Sequence, residues 1–326
     1  MEIRKLGQDE KAGTRALYEE VFLEDSEAFV DYYYTEKTKD NVIYGAEEDG
    51  RFQAMLHLNP YVLSVNGSER NAHYIVAVAT RREYRRRGYM AALIRRALRD
   101  MYRAGETFTF LMPAAEEIYL PHDFRTVYEQ EKRYYSGQEG YEPLRAGECG
   151  ALSEAADAYL SASCQVFAKR SEAYYRRLMK ECASDGGRLM VKKEGGGISD
   201  CRIFFPDPDE GKPKIMTRII DVRRMLMAVT ARSFMAACFF VTDPVIEENN
   251  RCVMITGTEF SGIMLMDGKA ENSEGEITVA ALASLLFGAK STEEVCREKG
   301  VKMTERMKGE LAKLVPLSKI YLNETV

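Results

Sequence analysis

The sequence predicts a mixed α/β protein (α+β in its ordering) built from two or three domains. Three observations carry that expectation. Apolar segments that alternate with period two recur through the first 140 or so residues, and segments with helical spacing interrupt them. The chain has 326 residues, too many for one ordinary domain, and 45% of them are hydrophobic, enough for more than one core. A proline- and aspartate-rich break, Pro206-Asp207-Pro208-Asp209-Glu210-Gly211, separates the last third.

In order along the chain, Ile3 to Leu6 reads as a strand. Helical spacing follows through Thr14, Leu17, Tyr18, Val21 and Phe22, and again through Ala28, Phe29 and Tyr32. Alternation returns over Asn41 to Glu47, Phe52 to Leu58, Val62 to Val65 and His73 to Val78, with Asn66-Gly67 marking a hairpin turn. Met90, Leu93, Ile94, Ala97, Leu98 and Met101 form the buried stripe of an amphipathic helix. Phe108 to Met112 is a buried-type strand stopped by Pro113, and Ala114 to Tyr119 a short helix. Phe124 to Tyr135 alternates again and is expected to close the sheet, ending a first domain over residues 1–141.

A middle region, 142–212, holds helical stretches from Cys149 to Leu160 and from Ser171 to Cys182, then one or two strands around Gly195-Gly196-Gly197. A third region, 213–326, opens with a strand at Ile215 to Ile220 and a helix at Val222 to Val229. Strands at Cys238 to Thr242, Cys252 to Thr256 and Phe260 to Met266 come next. An apolar helix, Ile277 to Phe287, is capped by Gly288, and a last helix, Thr304 to Val315, stops at Pro316.

Composition excludes several classes. Net charge is −5, against a nucleic-acid partner. No apolar run approaches the ~20 residues of a membrane-spanning helix, and Met1-Glu2-Ile3-Arg4-Lys5 lacks a signal-peptide core. Seven dispersed cysteines without CxxC spacing read as reduced thiols in a cytoplasmic protein. His57, His73 and His122 have no metal-ligand spacing, so no metal is expected.

The most informative stretch is Val78-Ala79-Thr80 followed by Tyr84-Arg85-Arg86-Arg87-Gly88-Tyr89-Met90-Ala91. It reads as a strand, a basic loop with one glycine, and a helix N-terminus. Such an end carries about half a positive charge and unpaired N–H groups, and so favours phosphate. A charge run alone is usually a solvated face. An apolar strand before this one and a buried helix stripe after it point instead to a phosphate-bearing ligand. Neither GxxxxGK[ST] nor GxGxxG is present, against a nucleoside-triphosphate or dinucleotide loop.

Val78 to Met90 resembles motif A of the GNAT N-acetyltransferases, whose pyrophosphate loop follows R/Q-x-x-G-x-G/A. Arg85, Gly88 and Met90 take the three marked positions, the last in place of the usual small residue. The whole chain is similar to the enhanced-intracellular-survival (Eis-like) branch of that family. Ile118-Tyr119-Leu120-Pro121-His122-Asp123-Phe124 sits where the branch has I-Y-x-x-F-G-[FY], with His122-Asp123 replacing the aromatic-glycine pair. Ile215 to Val222 resembles the opening of its C-terminal domain, and Thr242-Asp243-Pro244 with Glu248-Asn249-Asn250 resembles its D-P-x-x-x-x-N turn.

The resemblance implies a GNAT mixed-sheet acetyltransferase domain, a reduced GNAT-like middle region (about seventy residues being too few for a complete second domain) and a sterol-carrier-protein-like C-terminal domain. It implies acetyl-CoA as cofactor, a homo-oligomer, and a primary amine as acceptor, either an aminoglycoside-like polyamine or a lysine side chain. The backbone of Val78, Ala79 and Thr80 would pair with the pantetheine arm. The N–H groups of Arg86, Arg87, Gly88, Tyr89, Met90 and Ala91 would hold the pyrophosphate, with Arg85, Arg86 or Arg87 reaching the phosphates. Ala114 and Ala115 would let the arm pass. Tyr119 would be the general acid, since a phenol near pKa 10 is protonated at neutral pH. The base would be the C-terminal carboxylate of Val326, with Glu324 second. Glu24, Asp25, Glu27 and Asp31 are either an acidic entrance or a solvated helix face.

Two other classes stay open at this stage. The apolar helix Ile277 to Phe287 would line the cavity of a hydrophobic-ligand carrier, and a protein that binds acetyl-CoA without turnover would need only the loop.

Overall fold

A computed structural model describes residues 2–130, 134–136, 139–206 and 211–324. The chain begins with β1 (Glu2–Lys5), α1 (Arg15–Val21) and α2 (Glu27–Glu36), followed by β2 (Val42–Glu48), β3 (Arg51–Val65) and β4 (Ser68–Thr80). Then come α3 (Tyr89–Arg103), β5 (Phe108–Leu111), α4 (Glu116–Tyr119) and β6 (Arg125–Glu129). The middle of the chain supplies β7 (Tyr134–Tyr135), β8 (Glu142–Pro143), α5 (Cys149–Ser163), β9 (Val166–Ala168), α6 (Glu172–Ser184), β10 (Arg188–Glu194) and β11 (Gly197–Phe204). The remainder is β12 (Lys214–Ile219), α7 (Val222–Leu226), β13 (Thr230–Ala231), β14 (Met235–Thr242), β15 (Arg251–Thr258), β16 (Gly262–Asp267), β17 (Gly275–Thr278), α8 (Val279–Leu286), α9 (Thr292–Val295), β18 (Lys302–Met303), α10 (Glu305–Leu311), β19 (Leu314–Val315) and β20 (Ile320–Tyr321).

The first sheet runs β1-β2-β3-β4-β5-β12-β6, with β9 added to β3 and β20 to β9. Asn66 and Gly67 both have positive φ, as a tight right-twisted hairpin requires, and they let β3 and β4 run as one long antiparallel pair. Sequence alternation suggests two strands here because Asn59 and Pro60 break the pattern; the ladder continues through both.

β12 changes the domain reading. The sequence places it at the head of the third region, beginning at 213, yet it is antiparallel to both β5 and β6 and lies between them. The first domain is completed by a strand that follows the whole middle region, and β6 forms the outer edge without touching β5. Local pattern could not reveal this, since strand order is set by long-range pairing.

One face of the first sheet packs on α3 through Leu56, Leu58, Leu93, Ile94, Ala97 and Leu98; Met55 on the opposite face packs with Leu17, Tyr18, Val30 and Tyr33 of α1 and α2. The middle region forms its own four-stranded sheet, β7-β11-β10-β8, with a separate core under α5 and α6. A five-stranded sheet, β16-β15-β14-β17-β18, carries α8, every residue of which is buried. Gly288 follows α8 at φ +73, and Phe287 packs edge-on against Phe108 of β5 at 5.1 Å. The helix expected at Thr304 to Val315 ends at Leu311, because Leu314 and Val315 form β19 and pair with β13, and the one expected at Val222 to Val229 ends at Leu226, ahead of β13.

Candidate active site

The site is built where β4 and β5 part. Their parallel ladder consists of Tyr74 opposite Phe110 and Ile75 opposite Leu111. Beyond it β5 stops, while β4 continues to Thr80, still paired on its other side with β3 at Met55–Ala79 and Ala54–Thr80. Ala77 sits at φ +48, and the β3–β4 register shifts there, marking a bulge. A non-glycine residue in the left-handed region is strained, and the bulge turns the backbone of Val78 to Thr80 along an open strand edge. Val78, Ala79 and Thr80 therefore present backbone hydrogen-bonding groups to a V-shaped opening.

The loop after β4 has the geometry of an anion cradle. Arg86 and Gly88 both have positive φ, +62 and +86, and Gly88 is the N-cap of α3 with no side-chain cap. A Cβ at Gly88 would meet nothing within 4 Å, so the space above the first turn is open. The first intrahelical bond runs from the Ala92 N–H to the Gly88 carbonyl, which leaves the N–H groups of Tyr89, Met90 and Ala91 facing outward. Arg85, Arg86 and Arg87 are exposed. Arg85 Nε donates to the Thr80 carbonyl at 3.1 Å and fastens the loop to the end of β4; Arg87 lies over the Tyr84 ring at 5.0 Å. Met90 turns its side chain toward the core, so its bulk does not fill the loop. Ala114 is exposed and Ala115 half-buried, just past the end of β5. An extended ligand with a phosphate end and an amide-bearing arm, as coenzyme A is, fits these residues.

Tyr119 ends α4, the short helix that follows β5. It is 8% exposed, packs edge-on against Phe124, and its hydroxyl has no hydrogen-bond partner among the described residues. Burial pushes the phenol up to about 12. The proton is therefore held across the physiological range.

The chain end comes to the same sheet. β20 pairs in parallel with β9, the Gln130 side chain donates to the Leu322 carbonyl at 2.9 Å, and the Tyr128 hydroxyl donates to Asn323 at 2.8 Å. Glu324 is 1% exposed and accepts from Arg170 at 2.9 Å and from the Tyr174 hydroxyl at 2.6 Å. Burial first, and then the Glu324 carboxylate, raise the Tyr61 phenol. Tyr61 in turn packs on Tyr74 and Phe110, the stacked first rung of the β4–β5 ladder. Val326 lies outside the described residues.

Glu324, the second choice for a base in the sequence, is engaged in an ion pair. Of the acidic residues near the N-terminal helices, Asp25 accepts from Tyr18 at 2.7 Å and Asp31 pairs with Arg15 at 2.7 Å. Residues that sequence reasoning passes over also shape the site. His57 is fully buried beneath α2, with Nδ1 2.9 Å from the Tyr33 hydroxyl, and burial lowers its pKa to about 3. Arg170 and Tyr174, which hold the chain end, carry no local pattern that would single them out. The bulge at Ala77 is equally silent in sequence.

Comparison with known proteins agrees with this geometry. A family model described as an acetyltransferase (GNAT) domain matches residues 2–127. No curated protein matches the sequence. Among solved structures, a conserved protein of unknown function from Enterococcus faecalis, described as a probable N-acyltransferase, superposes with TM-score 0.76 at 13% identity over 97% of each chain. A GCN5-related N-acetyltransferase from Anabaena variabilis gives 0.75 at 13% identity, over 98% of this chain and 99% of that one. Eis1 from Mycobacterium abscessus gives 0.73 at 14% identity over 100% of both. At these identities the likeness is one of fold, and it extends over the full length.

Proposed function

We propose that residues 2–127, which match a GNAT acetyltransferase domain, form the catalytic unit of an acetyl-CoA-dependent enzyme, and that the chain acetylates a primary amine, with Tyr119 as general acid and the C-terminal carboxylate as base. The observation that carries the reading is the open β4 edge from Val78 to Thr80, which runs from the bulge at Ala77 into the cationic loop and the α3 N-terminus. Bound acetyl-CoA supplies an acetyl group already activated as a thioester. The exposed amides of Tyr89 to Ala91 and the cations Arg85 to Arg87 bind its phosphates. The backbone of Val78 to Thr80 orients its arm, and the N–H groups freed at the bulge are available to polarise a carbonyl. Tyr119, dry and protonated, donates its proton to the leaving sulfur.

Deprotonation of the amine falls to the chain end. The residues before it, Leu322 to Glu324, are buried, and Gln130 and Tyr128 bind Leu322 and Asn323, which supports a docked terminus. Glu324 is less suited to the task, since Arg170 and Tyr174 already occupy its carboxylate. The same reading assigns the chain to the Eis-like branch, with a sterol-carrier-protein-like C-terminal domain and a homo-oligomeric state. Deleting Thr325 and Val326 tests the base. Turnover of acetyl-CoA with an amine panel, followed as free thiol, should be lost while calorimetry still detects coenzyme binding; retained turnover would refute the assignment. The carrier reading loses its main support, because α8 is spent on the core and packs against β5.

A further inference from the structure

The first sheet has a second opening, on the other edge of β3. β2 pairs with β3 only as far as Leu58, and β9 begins to pair at Leu63, with the Lys169 N–H bonded to the Val62 carbonyl. Between them the outer edge of Asn59, Pro60 and Tyr61 has no strand beside it. This gap forms the floor of a cleft of about 410 Å3, walled by the end of α2 and by α6. Asn59 is 3% exposed and lines the cleft, and neither its side-chain oxygen nor its side-chain nitrogen has a hydrogen-bond partner.

A buried carboxamide with both ends unpaired carries the full desolvation penalty of both, and folded chains keep few such groups. Its chemistry specifies what would satisfy it. In an extended chain the N–H and C=O of one residue point to the same side, and a carboxamide offers an acceptor and a donor from one plane. Asn59 therefore matches one residue of an extended polypeptide, and the missing strand in the ladder is the width of one. The charge of the cleft adds to this. Asp40 is paired with Arg177, Glu181 with Lys37, and Lys169 with Asp157. Glu69 at the rim has no ion-pair partner among the described residues and leaves one uncompensated negative charge. Asn59 is also the cross-strand partner of Tyr74, which stands one rung back from Ile75–Leu111, the last pair before β4 and β5 part.

We propose that this gap in β3 is a docking notch for an extended polypeptide segment, read by Asn59, and that it presents an amine carried on a peptide to the site. The second half of this statement rests on the acetyl-transfer reading above; the first half does not.

The test compares a short N-acetylated peptide of alanine and serine with one central lysine against n-butylamine, which has the same terminal amine and no backbone. The expected result is that kcat/KM for the peptide, taken relative to n-butylamine, falls about tenfold in Asn59→Leu, through KM. The melting temperature should be at least that of the parent, since the variant removes an unpaired buried group. A ratio that does not change overturns the proposal. Should Asn59→Leu not fold, Ala173→Trp on the exposed face of α6 blocks the cleft and replaces it. Fluorescence anisotropy with the labelled peptide separates the two halves. Peptide binding that Ala173→Trp abolishes, without acetylation of any amine, sinks the transfer reading and leaves the notch. Acetylation of n-butylamine with no peptide binding sinks the notch and leaves the transfer reading.

Discussion

Arg218 and Asp243 meet at 2.6 Å with no solvent exposure on either side chain, and they join the first sheet to the C-terminal domain. Arg218 stands on β12, between β5 and β6. Its Nε donates to the His122 carbonyl at 3.4 Å, in the turn just after Tyr119. Asp243, at the end of β14, also accepts from the N–H groups of Val245 and Ile246 and from the Asn249 side chain, and Asn249 reaches back to the Ile220 carbonyl and the Val222 N–H. The D-P turn noticed in the sequence is one half of this buried junction.

Removing one partner of a buried pair leaves the other charged and unsolvated. Asp243→Ala should therefore cost about 3–5 kcal/mol, read as a lower urea midpoint at unchanged slope. An effect of a few tenths of a kcal/mol would mean that the pair is screened and that the two domains are held by apolar contact alone.

For Tyr119→Phe, a fall in kcat of about 10²–10³ is expected if it is the general acid. Calorimetric affinity for acetyl-CoA should not change. With the phenol pushed up to about 12, the parent enzyme should lose no activity to deprotonation of this group anywhere up to about pH 11. Turnover of the phenylalanine variant at the parental rate would remove the role.

Gly88 is the N-cap of α3 at the end of the cationic loop, at φ +86 with open space above it. Any Cβ there costs roughly 1–2 kcal/mol in the left-handed conformation. Gly88→Ala should weaken acetyl-CoA binding about tenfold, by calorimetry. Binding at parental strength would show that the loop tolerates a different path.

His57 makes the fold acid-sensitive. Its pKa is about 3 in the folded chain, against an ordinary value of 6.5, so protonation favours the unfolded chain. Its contribution is intact above about pH 6.5 and is lost as the pH falls toward 3, by about 2 kcal/mol between pH 7 and pH 5. His57→Gln, which keeps a partner for Tyr33, should flatten that part of the stability–pH curve. A curve of unchanged slope would assign the acid sensitivity to other groups.

The parts of the site that are local in the chain were legible in the sequence. Arg85 to Gly88 ahead of the apolar stripe of α3 specify a cationic loop and a helix N-terminus, because turn chemistry and period act over a few residues. Asn66-Gly67 specifies its hairpin in the same way. The parts made by distant segments were not. The bulge at Ala77 arises from register between β3 and β4, and nothing in Val76-Ala77-Val78 announces it. Arg170 reads as one more surface cation until Glu324, 154 positions later, is laid against it. β12 reads as the start of a domain until β5 and β6 are seen to lack a strand between them.

By itself, the sequence determined a cationic loop ahead of a helix N-terminus, most of the helices and strands around it, and the absence of any long apolar run. The tertiary structure alone decided where β4 loses its neighbour, which strand completes the first sheet, and how Glu324 is held by Arg170 and Tyr174. The reason is physical. Period, capping and turn preference are short-range terms carried by adjacent residues. The opening of a sheet depends on strands that never arrive, and only the packed fold shows where they are missing.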